Sequence, residues 1–236
     1  MERTNSPQTV EQLIPKTLNG GVRAGQNPPQ MRLPYTWADD IRAVFFGLAQ
    51  QLEPNFRLTD NNIDVYRNLV RYAFAHPECE WNINRGLGLM GNTGSGKTFA
   101  MRLLSQMLSG YNIRWMLHGQ PQPFAFQVVS ARRMVSEFVA GGYEAVDRYI
   151  RWSILCIDDL GSEPQEVSYY GNRLNLMEHI VEERYLDRKL THFTSNFNME
   201  QLEQLYGQRV ASRLYESCNL VKLVDTDWRR ANVRTV

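Results

Sequence analysis

One octapeptide limits what this chain can fold into more than any other feature. Gly91-Asn92-Thr93-Gly94-Ser95-Gly96-Lys97-Thr98 satisfies G-x-x-x-x-G-K-[ST] at every required position. Such a loop works only between a strand and a helix, and the flanking residues supply both. Gly86–Met90 reads as a short buried strand, and residues 98–108 carry helical periodicity. Glycines adopt backbone angles that other residues resist, so consecutive N–H groups can turn inward around phosphate oxygens. The helix that follows aims its positive end at the same anion. Gly91, Asn92, Thr93, Gly94, Ser95, Gly96, Lys97, Thr98 and Phe99 are therefore the candidate nucleotide-binding set. Lys97 offers a point charge to the β- and γ-phosphates and the Thr98 hydroxyl a ligand to magnesium, which implies ATP and Mg2+.

A second motif fits the first. Residues 153–157 form a continuous apolar run ending in Asp158 and Asp159, as expected of a central parallel strand buried on both faces. Ligands of open α/β sheets bind where such strands end. Asp158 is the candidate magnesium ligand, and Asp159 the candidate base that orients and deprotonates a water. Asp158-Asp159-Leu160-Gly161 also spells the D-x-x-G of GTPases, but no Asn-Lys pair for guanine recognition occurs in the sequence. Asn196 closes the next apolar strand, 190–194, where its amide could position the same water.

The rest of the chain alternates in the same way. Strands are expected at 124–129 and 220–224. Helices are expected from the Ser130 cap to 139, then at 143–150, 172–187, 199–206 and 209–217, and residues 110–123 read as a loop. This alternation predicts an α/β fold with a parallel sheet covered on both faces. Upstream, Ile41, Val44, Phe45, Leu48 and Leu52 share one helical face. Asp60 is the expected cap of a second helix that buries Ile63, Tyr66, Leu69, Val70 and Phe74. Residues 1–35 are rich in proline and glycine and read as a flexible arm; 36–80 form a helical segment and 81–236 the catalytic domain. With 26 basic and 25 acidic residues the formal charge is +1, so nucleic-acid binding would require locally placed charge. Three scattered cysteines, no signal-like N-terminus and no long apolar run predict a cytoplasmic protein without a membrane segment.

In these residues the chain resembles the AAA+ ATPases of the DnaC/IstB type, bacterial helicase loaders and transposition helper ATPases. The resemblance spans about residues 86–224 and rests on GNTGSGKT, ILCIDDLG, IVEERYLDRKLTHFTSN and LYGQRVASRLYE. It implies an α/β/α P-loop ATPase with Asn196 as sensor 1 and Arg213 as the arginine finger that reaches a neighbouring subunit; Arg209 is the rival candidate. It further implies an ATP-bound homo-oligomer that loads a replicative helicase onto DNA, with single-stranded DNA as the expected substrate. The alternative is a transposition helper that binds duplex DNA and activates a transposase. Arg132, Arg133, Arg148 and Arg151 lie where initiator-type relatives insert a DNA-contacting helix, although arginines on a solvated face would read the same way. The sequence departs from the family in having only Cys79 in the first 80 residues, too few for a zinc module, and no full C-terminal lid is expected; Arg229 and Arg230 follow the last strand. Asp159 is shorter than the glutamate common elsewhere, which implies slow, switch-like turnover.

Overall fold

A computed structural model describes residues 38–117, 120–169 and 172–224, with the side chains of 38–44 and 172 outside that description. The expected arm 1–35 and Arg229 and Arg230 also lie outside the described residues. Five strands make a wholly parallel sheet in the order β4-β5-β8-β1-β9. They are β1 (Gly86–Met90), β4 (Gln127–Ser130), β5 (Ile154–Asp158), β8 (Leu190–Ser195) and β9 (Cys218–Lys222). Because successive side chains point to opposite faces, each central strand feeds two cores. Ile154 and Cys156 of β5 join the first core, which contains α1 (Ala38–Leu52), α2 (Ile63–Ala73) and α3 (Lys97–Gly110). Leu155, Ile157 and Phe193 join the second, under α4 (Ala131–Arg151), α5 (Leu176–Leu186) and α6 (Met199–Ser217). The sheet is thus sandwiched between helical layers, which explains why its strands read as unbroken apolar runs.

Local chemistry sets the helix starts. Ser130 accepts from the Arg133 N–H as the expected cap of α4, and Asn198 and Gln201 form a reciprocal capping box on α6. The paired helices expected at 131–139/143–150 and 199–206/209–217 are present as two helical segments each, running on from one another across a non-helical glycine within α4 and within α6. Gly142 has φ 66° and Gly207 φ 82°, left-handed angles that break the helix without ending it. At Gly142 there is also no room for a side chain, since a Cβ would lie 2.3 Å from the Tyr169 ring.

Several boundaries differ from expectation. Residues 110–123 contain a hairpin, β2 (Arg114–Leu117) with β3 (Gln120–Pro123). Pro121 and Pro123 are two apart on its exposed outer strand, so both missing donors face away from the partner. The helix expected from 172 starts at Leu176, capped by Asn175. The residues before it pair as a second hairpin, β6 (Val167–Tyr169) with β7 (Asn172–Leu174). The strand expected at 124–129 starts only at Gln127, because Phe124 and Phe126 turn into the first core beforehand. Strand β9 begins at Cys218, directly from α6, rather than at 220. Asp60 does not cap α2; Asn62 holds that position, and its side chain accepts from the Thr59 N–H instead.

Candidate nucleotide site

The loop after β1, the end of β5 and the end of β8 meet at the carboxyl edge of the sheet, because β8 lies between the other two. Met90 pairs with Ser195 and Ile157 with Phe193, which brings both acids and Asn196 level with the loop. The start of the loop is tight. Gly91 has φ 156°, and a Cβ there would fall 2.0 Å from the Leu223 carbonyl oxygen. A Gly91→Ala change therefore has to displace either the loop or the chain leaving β9.

Lys97 is 95% buried, and its ammonium donates at 2.8 Å to the Gly91 and Asn92 carbonyls and to Asn196 Oδ1. A residue 99 positions away in sequence thus touches the loop lysine. Beside it, Thr98 Oγ1 donates to Asp158 Oδ1 at 2.8 Å, and Thr194 Oγ1 donates to the same oxygen at 2.7 Å. The Asp159 N–H in turn donates to Thr194 Oγ1 at 2.9 Å. Asp159 has φ 55°, a conformation uncommon for a non-glycine residue and frequent at functional turns.

These residues suit a nucleoside triphosphate and a hard cation. Helix α3 begins at Gly96 with no side-chain cap and no acid in its first turn, so its first N–H groups and its positive end remain for an anion. Thr98 and Asp158 are hard oxygen donors already in contact, the donor type magnesium prefers. The site opens into a cavity of about 470 Å³, within the usual range of ligand pockets.

The far wall of that cavity was not foreseen. Leu52 ends α1, Glu53 and Phe56 follow it, Tyr66 comes from α2, and Arg102 lies one turn into α3. The Phe56 and Phe99 rings stack with centroids 5.0 Å apart, and Tyr66 meets Phe56 edge-on at 5.1 Å. Phe99 belongs to the expected set, whereas Phe56 gave only one signal, a large apolar residue in a turn just after Pro54. Thr194 was also missed as a functional residue, although it sits within the quoted TSN motif. Its hydroxyl ties the two acids together. Thr194→Val is expected to lower turnover about tenfold, equivalent to about 1.4 kcal/mol of transition-state stabilisation. Steady-state kinetics check this, and an unchanged kcat would remove Thr194 from the site.

The remaining candidates lie elsewhere. Arg209 and Arg213 are on α6 beyond the Gly207 bend and do not line the cavity. Arg213 Nη1 pairs with Glu182 Oε1 of α5 at 2.5 Å, and Arg209 Nε pairs with the same oxygen at 2.9 Å. The Arg213 guanidinium also lies 5.2 Å from the Tyr185 ring centre. Arg209 is far the more exposed of the two. On α4, Arg133 and Arg148 both pair with Glu137, Arg151 with Asp147, and Arg132 donates to the Ser162 carbonyl.

No family model and no curated protein matches the chain. Solved structures do match its fold. The crystal structure of the DnaC helicase loader superposes with a TM-score of 0.54 at 18% identity, covering 73% of this chain and 96% of that one. The crystal structure of DnaI does so with a TM-score of 0.54 at 21% identity, covering 75% and 92%. At such identity the likeness is one of fold alone: an α/β domain built on a parallel sheet.

Proposed function

We propose that this chain, which has the AAA+ fold, is an ATPase that loads a replicative helicase onto DNA and is switched by its own hydrolysis of ATP. One observation carries the ATPase reading: Lys97, Asp158, Asp159 and Asn196 converge on one cavity from three strand ends. The loader reading draws on the solved structure described as a DnaC helicase loader.

In this reading the loop N–H groups and Lys97 bind the triphosphate, and the Phe56–Phe99–Tyr66 wall receives the base. Asp159 takes the proton of the attacking water, and Asn196 orients that water. Thr98 and Asp158 hold magnesium, which when bound neutralises phosphate charge. Among the described residues, Arg102 of α3 is the only arginine that lines the cavity. Charge neutralisation from α6 therefore has to come from a second copy, through Arg213 or Arg209, which makes turnover depend on assembly. The partners are a replicative helicase and single-stranded DNA, with Arg132, Arg133, Arg148 and Arg151 as proposed phosphate contacts once the ion pairs of the last three and the Arg132 bond to the Ser162 carbonyl exchange. Among the described residues, no helix is long and apolar enough to cross a membrane.

The deciding experiment measures DNA binding in a non-hydrolysable ATP analogue, with single strands and duplex compared at one salt concentration. Preference for single strands, followed by co-purification with the replicative helicase, supports the loader. Preference for duplex transfers the reading to a transposition helper. Asp159→Asn is expected to bind ATP normally while hydrolysing it at least about 100-fold more slowly, the usual contribution of a general base. Wild-type turnover in that variant would refute the role of Asp159.

A further inference from the structure

The turn that carries Asp159 is tied to the helix that carries Arg209 and Arg213 by one buried contact. Glu163 is 95% buried, and its Oε2 accepts the Gly161 N–H at 2.9 Å, two residues beyond Asp159. Its other oxygen accepts the hydroxyl of Tyr206. Burial, with the Glu163 carboxyl group adding to it, pushes the Tyr206 phenol well above its ordinary range, so it remains a donor. Tyr206 is itself buried and immediately precedes Gly207, where α6 bends.

The same turn is held on its other side by β8. Leu160 N–H donates to the Thr194 carbonyl, and Ser195 Oγ donates to the Leu160 carbonyl. A Cβ on Gly161 would lie 2.6 Å from the Phe197 ring, so the turn has little room to slide. A continuous path of contacts thereby runs from the turn of Asp159 through Gly161 and Glu163 to Tyr206. Beyond Gly207 the helix is anchored separately, by Glu182 of α5 to Arg209 and Arg213. The bend therefore divides α6 into a half that follows the nucleotide site and a half that follows α5.

We infer that Glu163 and Tyr206 are positioning residues that couple the hydrolytic turn to the Gly207 hinge, and so set the orientation of the arginines offered to a neighbouring subunit. This rests on the ATPase reading above. Neither residue touches the cavity, so each acts only through its neighbours.

The test compares Tyr206→Phe, Glu163→Ala and Glu163→Gln with the wild-type protein. The glutamine retains an oxygen for the Gly161 N–H and turns its NH2 to the tyrosine oxygen, which then accepts instead of donating, and it serves as the conservative rescue. The first readout is amide hydrogen exchange of residues 206–213 with and without adenylyl imidodiphosphate. Wild-type and Glu163→Gln proteins are expected to change exchange there on binding the analogue, and the other two variants to show no change. The second is turnover at concentrations where the protein assembles: kcat is expected to fall about tenfold in Tyr206→Phe and Glu163→Ala with KM unchanged, the signature of an interaction lost only in the transition state. A nucleotide response of residues 206–213 that survives in Tyr206→Phe and Glu163→Ala overturns the inference, as does a wild-type protein that shows none. A wild-type protein that binds the analogue but never hydrolyses ATP instead refutes the ATPase reading, while the exchange data still decide the coupling.

Discussion

Lys97→Ala is expected to lose nucleotide binding by at least about 100-fold. The ammonium of Lys97 is buried and already makes three hydrogen bonds of 2.8 Å, to Gly91, Asn92 and Asn196. It can donate three and no more, so a phosphate must replace some of these acceptors rather than add to them. Hydrogen bonds to charged groups contribute about 1.5–3 kcal/mol each, and losing two of them removes about 3–6 kcal/mol. That corresponds to a factor of about 100 or more in Kd. The truncation also takes the ammonium donor from the Gly91 carbonyl and leaves the Asn92 carbonyl only the Ser95 N–H, which loosens the loop even before ligand arrives. Arginine is not a conservative replacement, because its planar fork does not fit a ring of acceptors arranged around a single nitrogen. Titration with a fluorescent ATP analogue measures the effect directly, and a Kd within threefold of wild type would show that the loop does not bind through Lys97. A thermal shift gives a second view. At about 100 times Kd a ligand stabilises by about 2.7 kcal/mol, and the variant should lose that stabilisation entirely.

Arg184→Met is expected to unfold the protein more readily than any surface change, by about 3–5 kcal/mol, the usual cost of stripping one side from a buried charged network. Arg184 has no exposed surface. Its Nε donates to Thr191 Oγ1 at 2.9 Å, Nη1 to the Tyr149 and Trp152 carbonyls at 2.6 and 2.7 Å, and Nη2 to the Leu190 carbonyl at 2.7 Å. One side chain on α5 thus joins the C-terminal end of α4 to the start of β8. Methionine fills similar volume but removes all four of these hydrogen bonds at once, and lysine has a single nitrogen for a fork of acceptors. Burial pushes the Arg184 pKa down to about 9, still well above neutrality, so the guanidinium stays charged in the working range. Because the native state gives up this proton before the unfolded state does, its contribution is flat below that value and stability rises only as pH passes above it. Urea denaturation of the variant should show the loss as a lower midpoint with unchanged slope. For a chain of this size it corresponds to a fall in Tm of about 10 °C. A loss below about 1 kcal/mol, the value of an ordinary neutral hydrogen bond, would mean that the carbonyls find other donors.

Arg184 and Lys97 also mark what sequence reading could and could not reach. The loop that ends at Lys97 was legible because it is written in eight adjacent residues, whose glycines and helix start work through local backbone geometry. The strand ending in Asp158 and Asp159 was legible for a related reason: a strand buried on both faces must be apolar throughout, and the acids mark where it stops. The Gly142 and Gly207 bends were legible as interruptions between paired helices. Arg184, by contrast, looks in sequence like one more charged residue of a surface helix, within Glu182-Glu183-Arg184-Tyr185. Nothing local says that it turns inward, because its acceptors are carbonyls exposed by the ends of two other elements. Residues 110–123 were read as a loop because proline argues against a central strand, and only an exposed edge makes Pro121 and Pro123 acceptable.

The glycine-rich loop, the acidic strand end and the alternation that makes a covered parallel sheet all follow from neighbours along the chain. Only tertiary structure decided which strand lies beside which. The placement of β8 between β1 and β5 brings Asn196 to Lys97 and Thr194 to Asp158. Only packing placed Phe56 and Tyr66 opposite the loop, joined Glu163 to Tyr206, and gave Arg209 and Arg213 to one glutamate. Those contacts join residues remote in sequence, and many residue types could meet at such distances. Which of them do is set by how two apolar faces close over one sheet.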